Sequence, residues 1–269
     1  MTYGAVDLFC GVGGLTCGLE RAGIKVIAGY DLDKSCEYTF TYNNKAQFIN
    51  KNIQDVQGKE IRKLLCGYDV KILAGCAPCQ PFSQHQKDKK NRKKHKDWKL
   101  LYQFGRLVQE VKPHIVSMEN VPEIKNEQVF QDFVKLLENL KYKVTYKVIN
   151  AADYGVPQRR KRLLLLASKR KKIDFIKITH DEPVTVREVI GNLPPIGAGI
   201  GNDQDNLHVT SALSDVNIQR IQHSVQGGTW RDWPEELMLE CHKKASGQTY
   251  SSVYGRMKWD DVAPTITTQ

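Results

Sequence analysis

The sequence predicts an α/β fold built on a parallel sheet, followed by a smaller irregular module. Over the first 170 residues, short apolar runs of strand length alternate with longer amphipathic stretches of helix length. A cluster of glycines, Gly11, Gly13 and Gly14, follows the first apolar run, where a strand would turn into a helix. Beyond residue 180 the alternation is broken by Pro194-Pro195, by glycines from Gly191 to Gly201, by Gly227-Gly228 and by scattered Trp. With 269 residues, 41 % apolar and 26 % charged, the chain has the balance of a globular protein with a sizeable core.

Taken in order, residues 4–9 read as the first strand and residues 15–22 as the helix after the glycine turn. A second strand is expected over 25–30, a helix near 57–66, a strand over 70–74 and a helix over 100–111. A strand at 114–118, a helix at 128–140 and late strands at 142–149 and 163–167 complete the first part. The change of texture predicts one domain over 1–180 and a second over 181–269, with no internal repeat. No apolar run approaches the roughly 20 residues that cross a bilayer. Met1 to Asp7 lacks the charged and apolar regions of a secretion signal. Seven cysteines without framework spacing fit a reducing cytoplasm.

The formal charge of +10 is concentrated. Residues 87–99 carry eight Lys/Arg and two Asp, and residues 158–172 carry eight Lys/Arg and no acid, so the two segments hold +14 and the remainder about −4. Concentrated positive charge points to a polyanion, most simply nucleic acid, or to a solvated basic face.

Four segments carry chemistry. Asp7-Leu8-Phe9-Cys10-Gly11-Val12-Gly13-Gly14 lets backbone amides approach a ligand, and Asp31 stands 20 residues after Gly11, where a carboxylate binds ribose hydroxyls. Nicotinamide, flavin and adenosylmethionine proteins share that arrangement, and a plain packing turn would look the same. Cys76-Ala77-Pro78-Cys79-Gln80-Pro81-Phe82-Ser83 follows a strand, the end at which open α/β sheets place their chemistry. A zinc site would need a second ligand pair that is not evident, and His85 alone does not complete one; no metal is expected. A redox disulfide would need a helix where Pro81 and a charged loop stand. A thiolate nucleophile at Cys79 needs only an electropositive setting. Glu119, in Met118-Glu119-Asn120-Val121-Pro122, is either a partly desolvated acid at a strand end or a helix-capping carboxylate. Arg160 and Arg162 alternate along Tyr154 to Arg162 and so face one side, where they suit a phosphate or a base carbonyl.

In this order, the glycine turn, Pro78-Cys79-Gln80, Glu119-Asn120-Val121 and Gln158-x-Arg160-x-Arg162 resemble the motifs of the cytosine-C5 DNA methyltransferases. The resemblance is close over residues 3 to about 167 and looser through Val184 to Ile190 and on to Pro264-Thr265-Ile266-Thr267. It implies a Rossmann-like S-adenosylmethionine-dependent methyltransferase fold with a smaller target-recognition domain over 181–269. It further implies Cys79 as the nucleophile at cytosine C6 and Glu119 as the partner of N3 and the exocyclic amine. Arg162 would bind O2, and Arg160 would support the intermediate and the cysteine. Phe9, Gly11, Gly13, Asp31, Leu32, Asn52, Ile53, Pro78 and Leu100 match cofactor positions. Asn52 stands where the family usually has an acid, so a weaker contact to the adenine amine is expected. S-adenosylhomocysteine would be the product.

The segment after Ser83 matches the family's loop that closes over the flipped base, so Gln80, Ser83, Lys87, Lys89, Lys90 and Arg92 are candidate DNA contacts. Arg231, with Trp230 and Trp233 beside it, is a candidate groove contact, although aromatic packing would explain the two Trp equally well. Duplex DNA is the implied partner, in the bacterial cytoplasm at the nucleoid, with a restriction endonuclease as a further partner and no membrane. The family continues past Pro264 to Thr267 with two further motifs. A second polypeptide supplying them, or a shortened chain, is therefore expected, and with it weak cofactor binding or inactivity of the chain alone. Two other functions fit the same residues: a transfer-RNA cytosine-C5 methyltransferase, and a DNA-binding protein without catalysis.

Overall fold

The computed structural model describes residues 1–78, 99–244 and 254–266. They form two compact units, residues 1–149 with 161–177 and residues 150–160 with 178–269. The sequence places its boundary near 180; in the structure the segment 150–160 is grouped with the second unit.

The first unit runs β1 (Tyr3–Leu8), α1 (Gly14–Arg21), β2 (Lys25–Asp31), α2 (Glu37–Asn43), β3 (Gln47–Asn50), α3 (Gly58–Leu64), β4 (Val70–Gly75), α4 (Leu100–Val111), β5 (Ile115–Asn120), α5 (Gln128–Asn139) and β6 (Lys143–Asn150). After the two-residue β7 (Gln158–Arg159) of the second unit, β8 (Lys161–Ser168) completes the sheet. The strand order is β3-β2-β1-β4-β5-β8-β6. Pairing is parallel from β3 to β5, and β8 runs antiparallel to β5. The chain winds outward from β1 to β3 and then returns to β4, so the order reverses between β1 and β4. Open α/β sheets bind ligands at that reversal, outside the carboxyl ends of the strands.

The core follows from the residue pattern. β1 and β4 are buried almost throughout, as strands covered on both faces must be. α4 buries Leu101, Phe104, Leu107, Val108 and Val111, one stripe at helical spacing. α5 answers with Val129, Phe130, Phe133 and Leu137, and the Phe104 and Phe133 rings meet at 5.4 Å. Gly75 lets the end of β4 pass the end of β1, because a Cβ there would stand 2.7 Å from the Leu8 carbonyl oxygen.

β3 and α2 are the two elements of this unit with no counterpart in the sequence expectations. β3 has four residues and a single buried one, Phe48, too short for a periodic signal. α2 is built from Tyr, Thr, Phe and Asn, poor helix formers, and buries only Phe40.

The second unit contains α6 (Val186–Ile190), the hairpin of β9 (Gly201–Asn202) and β10 (Asp205–Val209), α7 (Asp215–His223), α8 (Glu240–Lys243) and β11 (Ala263–Pro264), which pairs with β7. Thr185 and Glu188 cap α6 reciprocally. Its small core is Trp230, Trp233 and Leu237, with His242 stacked on Trp230 at 4.3 Å and Trp233 Nε1 donating to Ser224 Oγ at 2.8 Å. Trp230 and Trp233, at 4 % and 3 % exposure, are packing residues, the second of the two roles that the sequence left open for them. Among the described residues no helix is long and apolar enough to cross a membrane.

Candidate active site and cofactor cavity

The chain leaves β1 through a strained turn. Phe9 has φ +60°, unusual for a residue with a side chain, and Gly11 and Gly13 have φ +50° and +92°. Asp31, the last residue of β2, holds this turn: its Oδ2 accepts the Gly11 N–H at 2.8 Å and its Oδ1 accepts the Asp33 N–H at 2.9 Å. Below the turn, Asp7 is fully buried, with Oδ2 accepting the Thr16 hydroxyl at 2.8 Å and Oδ1 without a hydrogen-bond partner among the described residues. Burial raises the Asp7 carboxyl to about 7; the Thr16 hydrogen bond opposes that rise and the charge of Asp31 adds to it. Burial likewise pushes the Cys10 thiol upward, helped by Asp7 and Asp31.

At the carboxyl ends of these strands lies a cavity. Phe9, Asp31, Leu32, Asn52, Ile53, Pro78 and Leu100 line it, with Tyr30 and Lys51. Seven of the nine residues expected to bind cofactor therefore share one wall system. Gly11 and Gly13 do not line it. Gly11 instead ties the turn to Asp31, and Gly13 caps α1 against Phe40 and Asn44, whose side chains a Cβ would strike. Its walls combine apolar faces with one carboxylate and one amide. That set fits an adenosyl group: each Asp31 oxygen keeps a lone pair for a ribose hydroxyl. Asn52 Oδ1 already accepts the Gln54 N–H at 3.0 Å, which leaves one lone pair for an adenine amine. Lys51 Nζ is engaged by Glu60 at 2.9 Å.

Glu119 occupies the end of β5, between its neighbours β4 and β8. The antiparallel register sets Glu119 opposite Leu164, so Arg162, two residues along, is its diagonal neighbour on the same face. Their side chains meet, with Arg162 Nε 2.9 Å from Glu119 Oε1, both about one-fifth exposed. On the other flank the parallel register pairs Gly75 with Met118, which brings Cys76 beside Glu119. Cys76 Sγ lies 2.7 Å from Glu119 Oε2, the thiol donating. Asn120 faces the buried side, and its Nδ2 donates to the Ala77 carbonyl at 3.0 Å. The segment leading to Pro78 is thus fastened to the end of β5 by two side chains.

Arg160 falls in the second unit, outside β8; its N–H donates to Asn150 Oδ1 at 3.1 Å. Arg231, exposed, lies over the Trp230 ring at 5.4 Å. Cys79, Gln80, Ser83, Lys87, Lys89, Lys90 and Arg92 lie outside the described residues. The residue that sequence reasoning missed is Cys76. Its signal was the cysteine pair itself, but only the register of β4 against β5 reveals which carboxylate it meets.

Residues 3–269 match the family model of the C-5 cytosine-specific DNA methylases. Type II methylase M.HgiDII of Herpetosiphon aurantiacus is 51 % identical, with the alignment covering all of this chain and 77 % of that protein. Type II methyltransferase M.XorII of Xanthomonas oryzae is 35 % identical over 70 % of this chain and 46 % of its own length. The chain therefore spans about half of that relative. Among solved structures, an E. coli prophage protein described as a DNA modification methyltransferase superposes with a TM-score of 0.71 at 22 % identity, covering 98 % of this chain and 82 % of that one. That likeness carries the fold.

Proposed function

Because the chain belongs to the C-5 cytosine-specific DNA methylase family, we propose that it methylates C5 of a cytosine flipped out of duplex DNA, through an adduct of Cys79 at C6. By family it is a DNA (cytosine-5-)-methyltransferase, EC 2.1.1.37, of the S-adenosylmethionine-dependent class. The Type II names of its relatives support a place in a restriction-modification system; a cognate endonuclease as partner and the nucleoid as the place of action belong to the same proposal.

The observation that carries this function is Glu119, held by Arg162 and Cys76 at the strand ends where the sheet also opens its cavity. Cytosine C5 is a poor nucleophile. A Cys79 thiolate bonding to C6 would move electron density toward N3 and C5; Glu119 would hydrogen-bond or protonate N3 while accepting from the exocyclic amine. Arg162 would take O2, and Arg160 would support the adduct. When C5 has been methylated and loses its proton, the S–C6 bond breaks and Cys79 leaves as a thiolate. Adenosylmethionine, when bound, supplies the electrophilic methyl. Phe9, Leu32, Ile53, Pro78 and Leu100 would wall it in apolar surface, Asp31 would accept its ribose hydroxyls and Asn52 its amine. A cytosine stacked in duplex is out of reach of such a site, so it must be turned out of the helix.

The test is methyl incorporation into duplex DNA and into transfer RNA, with trapping on duplex carrying 5-fluorocytosine. DNA labelling and an adduct lost in Cys79→Ser are expected. Labelling of transfer RNA alone would overturn the DNA assignment. Bisulfite sequencing of DNA from cells expressing the gene, with and without its genomic neighbours, tests the need for a partner. Unmethylated cytosine in every arrangement would overturn the enzymatic function.

A further inference from the structure

We propose that Cys76 is a positioning residue: its thiol fixes the carboxylate of Glu119 for the pyrimidine edge. The inference rests on the function proposed above. Glu119 has two oxygens and two partners on opposite flanks, Arg162 at Oε1 (2.9 Å) and Cys76 at Oε2 (2.7 Å). One partner alone would leave the carboxyl group free to turn about its last torsion, which is broad and shallow. Two partners, one in β8 and one just past β4, hold its plane. Each oxygen keeps a lone pair, so one can accept from an exocyclic amine and the other can carry the proton offered to N3.

The position of Cys76 is itself well determined. Its N–H donates to the Leu8 carbonyl at 3.2 Å, and Ala77 is bound by Asn120, so the thiol is delivered by backbone anchored to both β1 and β5. A serine hydroxyl would reach the same oxygen and is a stronger donor; alanine would leave Oε2 without its flank partner. The role differs from that of Cys79, since Cys76 bonds to no substrate atom.

Two measurements test this. The first is the alkylation rate of Cys76 by iodoacetamide, followed by mass spectrometry in a Cys79→Ser background at about pH 8. A neighbouring carboxylate opposes thiolate formation, so Glu119→Gln is expected to speed alkylation severalfold. Equal rates would overturn the pairing of thiol and carboxylate. The second is steady-state methyl transfer by Cys76→Ala and Cys76→Ser. Alanine is expected to lower kcat about tenfold, a loss of about 1.4 kcal/mol, with KM for the methyl donor within twofold. Serine is expected to stay within about twofold of the parent. Alanine matching the parent, or serine as impaired as alanine, would overturn the positioning role. A parent chain that transfers no methyl to any cytosine would instead overturn the function on which the proposal rests, while the alkylation rates still report whether the thiol and carboxylate meet.

Discussion

Replacing Asp7 by Asn removes an acid from the buried end of β1 and keeps its shape and its bond to Thr16. The native carboxyl titrates near 7, against an ordinary value of 3.8 for the side chain. Between those two pH values the native state retains a proton that the unfolded chain has released, so the parent loses stability as pH rises through the window and levels off above about 7. Three pH units at about 1.36 kcal/mol each set the ceiling near 4 kcal/mol. Asn carries no proton to lose, so the stability of Asp7→Asn relative to the parent should climb by up to that amount from about pH 4 to pH 7.5 and stay constant beyond. Urea unfolding followed by circular dichroism at a series of pH values reads this difference directly. His114 and His242, both lowered by burial, titrate in both proteins and cancel. A difference that stays flat across the window, or that falls with rising pH, would refute the assignment of a raised, buried carboxyl to Asp7.

Glu119→Gln should depress methyl transfer by about 10²- to 10⁴-fold, the usual share of a positioned acid, with no comparable loss of cofactor affinity by calorimetry. Gly75→Ala drives a methyl group against the Leu8 carbonyl oxygen and should destabilise the fold by about 1–3 kcal/mol, read as a lower melting temperature. If Lys89, Lys90 and Arg92 each neutralise a phosphate, changing all three to Ala should flatten the plot of log affinity for duplex DNA against log salt by about 0.9 for each phosphate no longer neutralised; an unchanged slope would remove them from the interface.

What was legible in the sequence is what periodicity and spacing encode locally. α4 is found at the expected residues because a twelve-residue amphipathic pattern admits few alternatives; Asp31 was legible from its spacing to Gly11, whereas Phe9 and Pro78 were placed at the same site by the resemblance to the family's motifs. β3 escaped because four edge residues carry no period, and α2 because its composition argues against the helix that its neighbours impose. Trp230 and Trp233 were open to a surface role in sequence, since the stack of Trp230 with His242 joins residues 12 apart that only tertiary folding brings together. Cys76 illustrates the same limit at the site. Its distance of 43 residues from Glu119 carries no information until strand register is known.

The antiparallel run of β8 against β5 also dictates what kinds of change the lineage can tolerate. The connection from Glu119 to Arg162 departs from the end of β5 and returns to it, so the loops that flank α5 and β6 can lengthen or shorten without moving either end. Inside β8 the freedom disappears. One residue inserted between Arg162 and Leu164 would leave the downstream pairing intact and turn Arg162 to the opposite face of the sheet, away from Glu119. The ion pair is therefore indifferent to length but sensitive to parity. In variants of this chain, odd-numbered insertions in that short stretch should be absent while the preceding loops vary freely.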